Sequence, residues 1–191
     1  MNLPENKTVT ANPRPPESKL LNRAAMADER KRLKGTGRVL VFTNGTFDLL
    51  HPGHIKYLDW ARRQGDALCV GLNSDKSVKS YKDNRRPINS QSERARVLAA
   101  LECVDYVVIF DEPEPLKLIE LLVPDVLVKG KDWAHYVSGR DIVEKHGGRV
   151  ALAEMAEGCS TSGIIRKILD VYGCSTGSAE QGLNHNQPKG K

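Results

Sequence analysis

Cysteine, aromatic residues and long apolar runs are all scarce in this chain, and each scarcity excludes a class of protein. Cys69, Cys103, Cys159 and Cys174 are the four cysteines, widely separated and without a C-x-x-C pair, so neither a zinc site nor a disulfide framework is expected. Such a set suits a reducing, cytoplasmic setting. Aromatic residues are 5% of the chain and do not interleave with basic ones, which leaves no stripe for gripping a nucleic acid. No apolar run is long enough to span a bilayer, and the opening MNLPENKTVTANPRPPE lacks the apolar segment of a signal peptide. Neither a membrane nor a nucleic acid is therefore an expected partner. No G-x-x-x-x-G-K-[ST] follows any apolar run, and Gly35-Thr36-Gly37 precedes its run, so neither a P-loop nor a dinucleotide loop is present.

Charge is not scarce, but it is unevenly placed. The 191 residues carry a net charge of +5. Residues 1–38 hold nine Lys/Arg against four Asp/Glu, and residues 174–191 hold two against one. The stretch between has a net of −1, so the basicity belongs to the ends and reads as solvated surface rather than as a docking face.

Organisation along the chain follows from punctuation and periodicity. Residues 1–17, with Pro4, Pro13, Pro15 and Pro16, read as a flexible lead. From Ser18 to about Lys34 the spacing of Leu20, Leu21, Ala24, Ala25 and Leu33 predicts a helix closed by Gly35 and Gly37 and packed on the domain edge, giving a helical segment over 18–37. Residues 38–173 form the main domain, and the small polar residues 174–191 read as a disordered tail. Within the domain, Val39–Thr43, Ala67–Leu72, Tyr106–Phe110, Val126–Val128 and Val150–Leu152 are apolar throughout, which predicts strands buried on both faces. Helical stretches separate them: Ser90 with Glu93 forms a capping box opening a helix through Leu101, and Gly147 closes one near His146. The expected fold is α/β, a doubly wound, Rossmann-like, parallel five-stranded sheet with helices on both faces. Ligands of such sheets bind beyond the carboxyl ends of the strands, where strand order reverses.

The residues at those ends carry chemistry. After the first strand comes Asn44-Gly45-Thr46-Phe47-Asp48-Leu49-Leu50-His51-Pro52-Gly53-His54, leading directly into the helical run Ile55 to Arg63. Free N–H groups and the dipole at a helix start favour an anion, and Gly45 and Gly53 let backbone come close to it. His51 and His54 can then donate to phosphate oxygens. A pair of capping histidines, or a metal site built from His51, His54 and Asp48, would explain the same residues. Ser160 and Thr161 open the last helix, Ile164 to Leu169, and offer a second anion site or an ordinary N-cap. Lys79, Lys82, Arg85 and Arg86 form a polar basic loop that either closes over phosphates or is solvated surface. Lys129, Gly130 and Asp132 follow the fourth strand. Asp132 reads as an acceptor for a ribose hydroxyl or a base amine, or as a helix cap or turn former, and Trp133 as a core residue, the favoured place, or a stacking platform. Arg94 fits either an anion anchor or an interhelical ion pair.

The run G-T-F-D-x-x-H-x-G-H resembles the signature of the cytidylyltransferase-like nucleotidyltransferases, the HxGH type. Three further segments, Arg85-Arg86-Pro87-Ile88-Asn89 with Glu93-Arg94, Val128 to Trp133, and Glu157 to Ile165, narrow the resemblance to the D-glycero-β-D-manno-heptose 1-phosphate adenylyltransferases. Those occur alone or as the C-terminal half of a bifunctional kinase/adenylyltransferase, and the absence of a kinase half here implies the stand-alone form. Thr46 departs from the Cys common in that family, and Lys131 from its second Gly.

The resemblance implies ATP and a sugar 1-phosphate as partners, Mg²⁺ carried by the triphosphate rather than by protein side chains, a homodimer, and a place in lipopolysaccharide or surface-glycan synthesis. It implies His51, His54 and Lys82 as catalytic groups. Asn44, Gly45, Thr46, Phe47, Asp48, Gly53, Lys79, Lys129, Gly130, Asp132, Glu157, Gly158, Ser160 and Thr161 are implied as nucleotide contacts, with Arg86 and Arg94 toward the acceptor. CTP or GTP as the donor and glycerol 3-phosphate as the acceptor stay open, as does a nucleotide-sensing module without turnover.

Overall fold

Residues 14–154 and 158–173 are described by the structure, a computed structural model. Five strands, β1 (Leu40–Gly45), β2 (Ala67–Asn73), β3 (Tyr106–Phe110), β4 (Val126–Gly130) and β5 (Arg149–Ala153), form one parallel sheet in the order β3-β2-β1-β4-β5. The helices are α1 (Arg23–Gly35), α2 (Pro52–Arg62), α3 (Asp75–Lys79), α4 (Gln91–Ala99), α5 (Leu116–Leu122), α6 (Arg140–Lys145) and α7 (Thr161–Tyr172).

The continuous apolar runs are explained by burial on both sides. All seven residues of β2 are buried, and alternate side chains enter two separate cores. Leu68, Val70 and Leu72 meet Tyr57, Leu58 and Ala61 of α2 and Ala95, Leu98 and Ala99 of α4. Ala67 and Cys69 share the opposite core with Met26 and Leu33 of α1, Leu118, Ile119 and Leu122 of α5, and Val143 of α6. Helices cover both faces, as a parallel sheet requires.

Helix boundaries follow local chemistry. The Ser90–Glu93 capping box is formed in both directions, and Gly147 follows α6 with φ of +83°. The first helix starts later than its periodicity suggests. Pro16–Lys19 make a single 3-10 turn, Leu20 pairs with Val107 beside the sheet, and α1 begins only after Asn22, whose side chain accepts from the Ala25 amide. A side-chain cap offered at Asn22 outweighs the weak apolar pattern before it. Nor is α1 peripheral. Met26 and Leu33 are fully buried, and the buried Arg30 donates to the carbonyls of Leu122 and Val123 and pairs with Asp125 at 2.8 Å. Those carbonyls close α5, whose C-cap Val123 has a left-handed φ of 40°. Arg30 therefore supplies, from another helix, donors for carbonyls that the end of α5 leaves without an intrahelical partner. Residues 15–17 of the expected lead belong to this N-terminal structure; residues 1–13 and the expected tail 174–191 lie outside the described residues.

Candidate active site

From β1 the chain winds toward β2 and β3, and from β4 toward β5, so the strand order reverses between β1 and β4. Tyr57 of α2 sits under that crevice. Its hydroxyl lies 2.7 Å from that of Thr43 and donates to the Val128 carbonyl, tying β1 to β4. Above it, the strands end in Asn44–Gly45 and Lys129–Gly130, and the Lys129 ammonium donates to the Asn44 side-chain oxygen. Lys129 and Gly130 are the last residues of β4 rather than part of the loop after it. Burial pushes the Lys129 amine down to about 8, against the pull of Glu114. A cavity of about 540 Å³ opens at this point, lined by Asn44 through Asp48, His54, Lys82, Arg86, Lys129, Gly130, Asp132 and Thr161 among others.

One wall is the start of α2. His51 is its N-cap, and the ring Nδ1 accepts from the His54 amide at 3.3 Å. An Nδ1 used as an acceptor leaves the proton on Nε2. The rings of His51 and His54 stack with centroids 3.8 Å apart, and Phe47 tilts against His54 at 5.3 Å. Phe47 has a left-handed φ of 44°, and its ring lies 3.0 Å from where a Cβ on Gly45 would stand. A strained residue folded over a glycine is thus what shields the imidazoles. Burial lowers both histidines; for His54, burial, the neighbouring His51 and Lys82 bring the value to about 4. Both rings are neutral near pH 7. Among the described residues His54 Nδ1 is buried with no hydrogen-bond partner, a condition that in buried polar atoms calls for a bound water, ion or ligand.

The second helix start stands beside the first. A Cβ on Gly53 would meet Cys159 Cβ at 3.0 Å and the His51 ring at 3.0 Å, so only glycine lets the two approach this closely. Ser160 caps α7 by accepting from the Gly163 amide, and Thr161 donates to the Leu49 carbonyl at 3.3 Å. The Ser160 hydroxyl is therefore spent as a cap, while Thr161 lines the cavity. Gly158 makes the turn before Cys159, away from the lining. Glu157 lies outside the described residues.

The basic segment divides. Lys82 and Arg86 line the cavity, whereas Lys79 ends the short helix α3 and does not. A five-residue helix stands where an unbroken polar loop was expected, because Ser74 caps it through the Ser77 amide. Burial, with Arg86 beside it, lowers the Lys82 amine. Asp48 clamps the segment: it accepts from the Ile88 and Asn89 amides and pairs with Arg86 at 2.6 Å. Burial works to raise its carboxyl, and those donors outweigh it. Arg94 is not an anion anchor. Its side chain is fully buried, bonds the Asn89 and Thr46 carbonyls and Asp75 of α3, and does not line the cavity, so the interhelical ion pair is the one formed.

Several lining residues escaped the sequence reading. Asn73 ends β2, where the carboxyl-end rule alone points to it. Tyr81 shares a 2.7 Å hydrogen bond with Thr46. Glu114, Tyr136 and Ser138 come from loops, where no periodicity marks a residue. Trp133, expected in the core, is 56% exposed and lines the cavity; its position in a 3-10 turn directly after β4 turns it outward.

Residues 42–167 match the family model described as cytidylyltransferase-like. The chain is 52% identical over 157 residues to the bifunctional protein HldE of Syntrophotalea carbinolica and 54% identical over 157 residues to that of Citrifermentans bemidjiense, covering 82% of this chain and 32% of each relative. The chain thus spans about a third of the length of the curated relatives it matches. Among solved structures, a lipopolysaccharide core biosynthesis protein from Thermoplasma volcanium superposes with a TM-score of 0.53 at 26% identity, covering 63% of this chain and 98% of that one. The pantoate-beta-alanine ligase of Francisella tularensis shares the fold alone, with a TM-score of 0.51 at 16% identity over 79% of this chain and 78% of that one.

Proposed function

The chain belongs to the cytidylyltransferase-like family of nucleotidyltransferases, and from that premise we propose that it transfers an adenylyl group from ATP to D-glycero-β-D-manno-heptose 1-phosphate, releasing pyrophosphate. One observation carries the reading: two helix starts meet at the sheet's switch point, with His54 Nδ1, buried and without a partner among the described residues, beside them. That is a place built for a polyanion. The bifunctional HldE relatives support the heptose acceptor.

The reaction needs no protein nucleophile. An oxygen of the sugar phosphate is already anionic at neutral pH and attacks the α-phosphorus in line with the leaving pyrophosphate. The protein's task is to position the two substrates and to hold charge on the five-coordinate phosphorus. Neutral His51 and His54 donate N–H groups without titrating, Lys82 adds a positive charge, and the amides opening α2 and α7 add partial ones. Arg86, held by Asp48, faces the same space. The described residues contain no group of three His, Cys, Asp or Glu able to hold a metal. Asp132 at the cavity, with the oxygens of a triphosphate, fits a hard cation such as Mg²⁺. A bound Mg²⁺ would supply positive charge to the triphosphate oxygens there.

Thr46 favours a second reading, transfer of a cytidylyl group to glycerol 3-phosphate. Pyrophosphate release separates the two when each nucleoside triphosphate is paired with heptose, hexose and glycerol phosphates. Turnover with ATP and heptose 1-phosphate alone is the expected result; turnover with CTP and glycerol phosphate replaces it with the second reading, and nucleotide binding without any release makes the chain a sensor. We place the enzyme in the cytoplasm, in supply of activated heptose for lipopolysaccharide or surface glycan, as a homodimer. The exposed Ile168, Leu169, Val171 and Tyr172 of α7 offer the apolar surface for that assembly, which light scattering tests.

A further inference from the structure

The cavity has a second wall that the phosphate chemistry does not use. Glu114, from the loop between β3 and α5, accepts from Tyr136 Oη at 3.1 Å and from Ser138 Oγ at 2.8 Å, both on the loop between β4 and α6. These three residues line the cavity from the side of α5 and α6, whereas His54 and Thr161 line it from the helix starts of α2 and α7. Glu114 does not serve as a helix cap: Pro115 is the N-cap of α5, and no side chain bonds the amides there. The rim nearby is aromatic. Tyr81, Trp133 and Tyr136 are 48, 56 and 53% exposed and all line the cavity.

A carboxylate is out of place in a cavity made for a triphosphate and a sugar phosphate, since like charges repel across a partly desolvated space. Of the other carboxylates lining the cavity, Asp48 is cancelled by Arg86 and Asp132 is the one that fits the cation, but among the described residues Glu114 bonds only hydroxyls, and its field reaches the buried Lys129. What a carboxylate flanked by hydroxyls and aromatic faces suits is the neutral, many-hydroxylated end of a sugar, whose O–H groups donate to it and whose C–H faces lie on the rings. Resting on the adenylyltransfer reading above, we propose that Glu114, held by Tyr136 and Ser138 and bordered by Tyr81 and Trp133, forms the subsite that recognises hydroxyl groups of the acceptor sugar at the end remote from its phosphate. Glu114 is then the specificity residue that separates a sugar phosphate from a smaller phosphate such as glycerol 3-phosphate.

The test is the pair Glu114→Gln and Tyr136→Phe, assayed by pyrophosphate release with ATP and heptose 1-phosphate, and with single-deoxy heptose 1-phosphates. Gln keeps an oxygen for Tyr136 and Ser138, so the melting temperature of Glu114→Gln stays near wild type. Its KM for the sugar phosphate rises about tenfold to a hundredfold, as loss of a charged hydrogen bond implies, while its KM for ATP stays within about twofold. One deoxy analogue is as poor for wild type as for the variant, which identifies the hydroxyl that Glu114 binds. Tyr136→Phe, which only loosens Glu114, shows a smaller rise in the same constant. An unchanged KM for the sugar phosphate in a folded Glu114→Gln, or a rise confined to ATP or shared equally by both substrates, overturns the subsite. Absence of turnover in the wild type instead refutes adenylyl transfer to heptose. Calorimetric titration of heptose 1-phosphate into both proteins then still decides the subsite: tenfold weaker binding to the variant supports it, and equal or absent binding overturns it.

Discussion

The two walls of the cavity are made of different material. The wall at α2 and α7 is made by the first turns of two helices, with Gly53 in contact range of Cys159 and Phe47 held in a left-handed conformation over Gly45. Its imidazoles are desolvated and neutral. The wall at α5 and α6 consists of loops, with Trp133 and Tyr136 more than half exposed and Ser138 buried. Groups that must meet a transition state need fixed positions, and rigid elements supply them; groups that choose among substrates sit well on loops, where side chains change without disturbing a core. On the proposed reading, the reacting groups stand on one flank and recognition of the acceptor on the other.

If that division is right, substitutions in the first wall damage turnover and those in the second damage choice of acceptor. The largest effect is expected from His54→Ala, which removes a donor from the phosphorus and lowers kcat by about two to three orders of magnitude; steady-state rates within a few fold of wild type would remove His54 from the chemistry. Next comes Gly53→Ala. Its added methyl has to displace Cys159 or the His51 ring, so a loss of about 1 to 3 kcal/mol in denaturant unfolding should accompany a fall in kcat. A protein of unchanged stability and rate would show that the two helix starts move apart at little cost.

Acid sharpens the same contrast. His54 takes up a proton near pH 6.5 when unfolded and only near pH 4 when folded, so the unfolded chain binds more protons between those values. Its contribution to stability is complete above pH 6.5 and is lost as pH falls toward 4. Chemical denaturation of wild type and His54→Gln across that range should give curves that diverge as pH rises, with the steeper dependence in wild type; parallel curves would mean that the ring is solvated. The smallest effect belongs to the rim: Trp133→Ala should leave stability within about 0.5 kcal/mol, as exposed positions do. A larger loss in the same denaturant titration would make the rim part of the core.

The same division governs how much of the protein was legible in its residues. Continuous apolar strands, the Ser90–Glu93 box and Gly147 are local signals with local causes, and the sheet follows from them. The helix starts at His51-Pro52-Gly53-His54 and at Ser160-Thr161 were legible because a helix after a strand has a spacing and a chemistry of its own. Arg94 was ambiguous, since only the fold brings Asp75 and the Thr46 carbonyl to it from positions 19 and 48 residues away. Trp133 went astray because a large aromatic is usually buried, and nothing local marks the rim of a cavity. Arg30 illustrates the same limit in the core: its partners lie 92 to 95 residues away, so its role in closing α5 has no trace in the neighbouring sequence.

The central claim is that one triphosphate lies between the starts of α2 and α7. A crystal structure of the protein with a non-hydrolysable ATP analogue and Mg²⁺ tests it most directly. The account predicts phosphate oxygens within hydrogen-bond distance of a His54 ring nitrogen and of the amides that open α7, with the Glu114 side left free of phosphate. A triphosphate seated against Glu114, or on the outer face of the sheet away from His54, would contradict it.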